Sequence, residues 1–142
     1  LLTIVLQNSK YLFSLDANMI DKETGEVVDR ISGANFAVDE DLIIYTYGKL
    51  IAKNIATGKI LWDKEFIENQ TFAPLIDNDY FYIFLEKFYV IDVKTGNVVW
   101  EDEPIDYFFE YIPQIMATDK YVTVFIENRD DPRLRIYRKV YE

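Results

Sequence analysis

The 142-residue chain contains no cysteine and no histidine. Without cysteine there is no disulfide, no thiolate zinc site and no thiol nucleophile. Without histidine, Ser-His and Cys-His nucleophilic machinery, imidazole metal ligation and the one side chain that ordinarily titrates near neutrality are missing too. Any chemistry would rest on carboxylates, lysine, tyrosine or a cofactor. Positive charge is also scarce: 15 Lys and Arg stand against 25 Asp and Glu, a net charge of −10. That balance repels phosphate backbones and anionic lipid heads, so nucleic acid is not an expected partner. Its simplest role is solubility, with a basic ligand or partner as the alternative. The apolar run YFYIFL at 80–85 is far shorter than the roughly 20 residues a membrane helix needs, and no membrane span is expected. Helix-period patterns are missing. The prolines, at 74, 104, 113 and 132, sit at strand starts or in loops, where a sheet tolerates them.

What is abundant favours strands. Half of the residues are apolar, and the 11 Tyr and 10 Phe suit pleated, half-buried surfaces. The chain also repeats itself. IATGKILW at 55–62 returns 38 positions later as VKTGNVVW at 93–100, and 33 positions earlier as KETGEVVD at 22–29. Repetition at this period marks a solenoid or propeller. Around each copy, short apolar runs are bounded by Asp, Asn and Gly clusters, the signature of short strands joined by tight hairpins. In the second unit the runs are ANFAV, LIIYTY, GKLIAKN and ILWDKEF; in the third they are FAPLI, YFYIFL, EKFYVID and VVWEDEP. From Leu42 or Tyr80 to the turn glycine both units count 17 residues. The glycine of each Thr-Gly pair supplies the positive φ that a tight turn demands.

The first unit keeps Thr24-Gly25 but carries Asp29 in the tryptophan position, and in the fourth a longer loop containing Pro132 replaces the turn. End units of repeat arrays are often atypical. The expected fold is all-β: consecutive four-stranded antiparallel blades, about three and a half to four of them, in one domain or fragment covering 1–142. The blade units are placed at about 1–33, 34–71, 72–112 and 113–142. Asp21, Asn54 and Asp92 are expected to bond the turn amides ahead of them, as such side chains commonly do. Spread one to a blade, they make no calcium site, which wants six to eight converging oxygens.

The stretch from Ala52 to Trp62 resembles the repeat of the quinoprotein-like, or PQQ-like, β-propellers, with its Ala-x-Asp/Asn-x-x-Thr-Gly-x-x-x-Trp consensus. Val90 to Trp100 is similar to it with Val for Ala, and Met19 to Asp29 keeps the Asp and Thr-Gly. The resemblance covers roughly residues 10–100. It implies that Trp62 and Trp100 dock neighbouring blades, with Thr24, Gly25, Thr57, Gly58, Thr95 and Gly96 as the structural turn residues that each blade repeats. An exposed Trp platform for a sugar or peptide is the alternative. Some family members are dehydrogenases holding pyrroloquinoline quinone and calcium over a complete ring, but no position here matches their catalytic residues, and no catalytic residue, cofactor or metal is expected. Others are assembly factors or interaction platforms of the cell envelope, so the resemblance favours an extracytoplasmic or envelope location.

The reading that follows is a non-catalytic binding or scaffold module, more simply not an enzyme. The alternative is a fragment of a PQQ-dependent oxidoreductase whose catalytic residues lie elsewhere. Two further stretches stand apart from the repeat: the acidic, aromatic segment WEDEPIDYFFEY at 100–111, either a solvated loop or a docking surface, and the chance-level glycosylation triplet at Asn69. Three or four blades in an incomplete ring leave strand edges bare. A protein partner, the remaining blades of a larger propeller or a second copy would cover them, and the abrupt start on Leu1 suggests a piece of something longer.

Overall fold

The computed structural model describes residues 4–31, 36–65, 72–84, 87–103, 113–126 and 132–139. Every element among them is a strand. The first sheet is formed by β1 (Ile4–Gln7), β2 (Tyr11–Ser14), β3 (Asn18–Asp21) and β4 (Val27–Arg30), and the second by β5 (Phe36–Val38), β6 (Leu42–Thr46), β7 (Leu50–Asn54) and β8 (Ile60–Lys64). The third contains β9 (Phe72–Asp77), β10 (Tyr80–Phe84), β11 (Phe88–Asp92) and β12 (Val98–Glu101); the fourth contains β13 (Pro113–Ala117), β14 (Tyr121–Ile126) and β15 (Arg133–Arg138). Each sheet is an antiparallel meander in chain order, with four strands in the first three and three in the last among the described residues.

Local polar chemistry closes the first hairpin in three of the sheets. Between the first two strands, an acceptor at the start of the turn takes the amides that follow. Asn8 Oδ1 accepts from the amides of Lys10 (3.0 Å) and Tyr11 (2.7 Å), and Asp39 Oδ1 from those of Asp41 (2.9 Å) and Leu42 (2.7 Å). Thr118 Oγ1 accepts from the Tyr121 amide at 3.1 Å. One capture geometry therefore serves three different residue types, because each places an oxygen two or three residues ahead of the strand.

The chain divides into two compact units, one of Leu1–Ile67 with the turn Lys94–Gly96, the other of Glu68–Val93 with Asn97–Glu142. In the first unit, Phe13, Ile31, Phe36, Ile43 and Ile55 form a buried cluster between the first and second sheets, with the rings of Phe13 and Phe36 6.0 Å apart. Polar bonds join the same sheets at the hairpin ends: Asn8 Nδ2 donates to the Asp39 carbonyl at 3.2 Å, and the Ser9 amide donates to the Glu40 carboxylate at 3.0 Å. In the second unit, Tyr82, Phe84 and Phe88 of the third sheet pack on Ile115, Val122 and Val124 of the fourth. β14 shows why period-two patterning works: Val122 and Val124 are 2% and 1% exposed while Tyr121 and Phe125 are 45% and 36% exposed, so only one face of this sheet is covered.

Candidate functional site

The Thr-Gly turns are built alike. The Gly25 amide donates to the Asp21 carbonyl and the Gly58 amide to the Asn54 carbonyl, both at 2.9 Å. Asp21 Oδ1 accepts from the Glu23 (2.8 Å) and Thr24 (3.0 Å) amides; Asn54 Oδ1 accepts from the Thr57 amide at 2.9 Å and the Thr57 hydroxyl at 3.1 Å. The threonine hydroxyl in turn accepts from the residue beyond the glycine, Glu26 or Lys59, at 3.2 Å. Around Thr95-Gly96, the Asp92 amide donates to the Asn97 carbonyl at 2.9 Å, the same closure seen at Asn54 and Lys59. Gly25, Gly58 and Gly96 have φ of 72°, 71° and 72°, a region in which a side chain is strained. Asp21 and Asn54 are thus occupied in holding backbone, as the sequence leads one to expect.

The three glycines differ in what lies above them. A methyl group at Gly96 would stand 2.6 Å and 2.7 Å from Cδ2 and Cε3 of Trp62 and 3.1 Å from Cε of Lys64, whereas Gly25 and Gly58 have nothing within 4 Å. Trp62, in β8 and opposite Ala52, is 8% exposed. Its six-membered ring rests on the bare backbone of Gly96, a turn residue of the same compact unit. Asp29, in β4 opposite Met19, holds the position that Trp62 holds in β8. Its carboxylate instead meets Lys53 Nζ at 3.5 Å, and the space over Gly58 is open.

Trp100, opposite Val90 on β12, behaves differently from Trp62. It is 45% exposed, although repeat logic places both rings in seams. Its edge meets Phe88 (6.2 Å, 62°) and Tyr137 (5.3 Å, 65°), while Phe88 lies stacked on Tyr137 at 4.8 Å and on Tyr82 at 6.0 Å. Contrary to the sequence expectation, the Pro132 loop does not replace the Thr-Gly turn but lies between the second and third strands of the fourth unit; counted from the Tyr121–Arg138 pair, the counterparts of Thr95 and Gly96 are Tyr141 and Glu142, outside the described residues. A cleft of about 740 Å³ opens beside Trp100, lined by Tyr82, Phe88, Val99, Trp100, Ile136 and Tyr137, with Arg138 and Lys139 as the charged residues among its described lining. Its volume is that of an ordinary ligand pocket.

One wall of the cleft is braced by a polar trio. Asp102 Oδ2 accepts from Tyr137 Oη (2.6 Å) and Arg135 Nη1 (2.5 Å), and its Oδ1 accepts from the Glu103 amide (2.8 Å). Burial pushes the Asp102 carboxyl upward, but the donors from Tyr137, Glu103 and Arg135 outweigh it and hold the pKa below its ordinary value. Burial, then the bond to the Asp102 carboxylate, pushes the Tyr137 phenol up to about 12. A raised folded-state pKa contributes stability below the unfolded value near 10 that disappears as pH rises through about 12. Urea midpoints are therefore expected to fall more steeply from pH 10 to 12 in the natural chain than in Tyr137→Phe. At the acid end Asp102 works the opposite way, its contribution vanishing as pH falls below 3.8 through the lowered folded value.

Of the residues singled out in the sequence, Trp62 and Gly96 come together; Gly25 and Gly58 stand open, as do their exposed threonines, Thr24 and Thr57. Most of the 100–111 segment and Asn69 lie outside the described residues. Asp102 belongs to the acidic segment 100–111 noted in the sequence, but its partners Arg135 and Tyr137 are not legible there, because the fourth unit departs from the repeat and the sequence does not align its third strand with the others. The register supplies that alignment: Tyr121 pairs with Arg138 as Tyr80 pairs with Asp92 and Leu42 with Asn54. Among the described residues, no group of three or more Asp or Glu could hold a metal ion, and no helix is long and apolar enough to cross a membrane.

A family model described as outer membrane protein assembly factor BamB matches residues 15–107. No curated protein matches the sequence. Among solved structures, BamB from Moraxella catarrhalis is similar at 16% identity and a TM-score of 0.61, covering 89% of this chain and 42% of its own. The chain thus spans less than half the length of that protein. The computationally designed Ika4 protein gives 14% identity and a TM-score of 0.75 over 97% of this chain and 91% of its own. The β-propeller domain of Myceliophteria thermophila Cps50 (Swd1) gives 15% identity and 0.69 over 96% and 53%. At these identities the likeness is one of fold, and the sheets are propeller blades.

Proposed function

The chain belongs to the PQQ-like propeller-repeat family whose model is described as outer membrane protein assembly factor BamB, and from that premise we propose that it is a non-catalytic binding module. What it binds is a polypeptide partner, and the place is the aromatic cleft of the second unit. The single observation that carries this reading is Trp100: a 45% exposed indole standing in a cleft of stacked aromatic rings. Trp, Tyr and Arg dominate the residues at which partners are held, because they bring large area at small entropic cost. Trp100, Tyr137 and Arg138 supply all three in one cleft.

In the same reading, Trp62 on Gly96 is mortar, and the three Thr-Gly turns are the seats that blades offer to such rings. The blade array supplies rigidity and the cleft supplies contact.

A photo-crosslinking residue at Val99, 52% exposed beside Trp100, tests this against the same residue at Tyr47, 69% exposed in the first unit. In an extract of the source cell, Val99 should give a discrete protein adduct that Tyr47 does not, and Trp100→Ala should reduce it about tenfold or more, as a hot-spot loss does. Equal adducts from both positions would overturn the proposal. So would uptake of pyrroloquinoline quinone seen by absorbance together with dye reduction, which would favour a quinoprotein fragment instead.

A further inference from the structure

The third and fourth sheets meet through charges at positions where other blades carry apolar side chains. The register equates Arg135 with Ile51 of the second sheet and Tyr89 of the third. Just past the same strands, Lys139 is equated with Ile55 and Val93, whose amides make the corresponding bond to the preceding hairpin. Ile51, Tyr89, Ile55 and Val93 are all buried, so both positions belong to blade interiors. In the fourth unit both are cations, and each meets an acid of the third sheet. Arg135 Nη1 donates to Asp102 Oδ2 at 2.5 Å. Lys139 Nζ, on a side chain only 6% exposed, donates to Asp77 Oδ2 and, at 2.5 Å, to the Thr118 carbonyl of its own sheet. The third sheet supplies two acids and the fourth two bases.

Strength is a poor reason for this arrangement. Desolvating two charges offsets their attraction, so an ion pair inside a seam does no better than apolar residues of similar volume. The first and second sheets show the apolar solution: Ile31 and Ile55, the counterparts of Asp102 and Lys139, lie in one buried cluster. What charges add is selectivity, because a wrong neighbour leaves them unpaired or opposed. A second or third blade set against the third sheet would bring Ile51 or Tyr89 to Asp102, and Ile55 or Val93 to Asp77. The fourth sheet set against the second would bring Arg135 to Lys64, which pairs with Leu50 as Asp102 bonds Phe88. Set against the first, it would press the guanidinium on Ile31.

We propose that Asp77, Asp102, Arg135 and Lys139 form a docking address, which makes the third sheet accept the fourth blade and reject the other repeats of this chain. Blades built on one repeat share their packing faces, and misassembly is a characteristic failure of repeat proteins. Two charge pairs across one seam remove the ambiguity without strengthening the seam. The address is independent of what the aromatic cleft binds.

A charge-reversal cycle on the 142-residue chain tests the pairing. Asp102→Lys, which gives the third sheet the residue type of Lys64, and Arg135→Glu should each lower the melting temperature by about 5 °C or more. The double variant restores opposite charges and should recover most of the loss; losses that simply add would overturn the proposal. A second variant separates address from strength. With Asp77→Asn, Asp102→Ile, Arg135→Ile and Lys139→Ile together, the chain should melt no lower than the natural one, while its amide NMR spectrum shows doubled or broadened peaks for the second unit as alternative packings fill. One sharp set of peaks would overturn the proposal, since apolar packing alone would then choose the neighbour. A clear fall in melting temperature would overturn it too, since the pairs would then serve strength. Should this variant fail to fold, the reversal cycle decides alone.

Discussion

Gly96→Ala is expected to destabilise the protein by about 2–5 kcal/mol, whereas the same change at Gly58 or Gly25 should cost only about 1–2 kcal/mol. All three substitutions place a side chain at φ near 72° and share that backbone strain. Only at Gly96 does the new methyl also collide with a ring, 2.6 Å from Cδ2 of Trp62, in a packed setting where over-filling typically adds about 1–3 kcal/mol. Urea unfolding of the three variants measures the difference. Equal losses at Gly58 and Gly96 would mean that the indole yields freely and that the contact is not tight.

Trp62→Ala should cost about 3–5 kcal/mol, the usual range for deleting a buried aromatic, because the vacated volume over Gly96 cannot be refilled by backbone alone. Against a typical total stability of about 5–15 kcal/mol, such a loss should be plain in a thermal melt. Trp100→Ala should cost clearly less, since its ring is already 45% exposed against 8% for Trp62. The two large effects are coupled. In a Trp62→Ala background, Gly96→Ala should retain only its backbone strain, so the double variant should be more stable than the two single losses added together. Strict additivity would show that the ring and the turn do not touch in solution.

These contrasts mark how far the sequence could be read. Strand runs, hairpins and the three Thr-Gly turns were legible because their causes are local: an Asx or Thr oxygen two or three residues from the amides it accepts, and a glycine where φ must be positive. Asp21 and Asn54 bond their turns as those spacings imply. The fourth unit was legible only as strands. Its Pro132 loop hides the register, so the equivalence of Arg138 with Asn54 and Asp92 appears only once Tyr121 is seen to pair with it.

By itself, the sequence determined the architecture: an all-β chain of antiparallel blades in the PQQ-like manner, since period-two patterning and turn chemistry act over a few residues and survive in any context. Only the tertiary structure decided what each copy of the repeat became. Identical turns ended up beneath an indole at Gly96 and under open space at Gly58, and equivalent tryptophans became a sealed wedge at 62 and half a cleft wall at 100. The reason is that burial is a property of the neighbour: a residue is covered by what another segment brings to it, and repetition along the chain does not say which segment arrives.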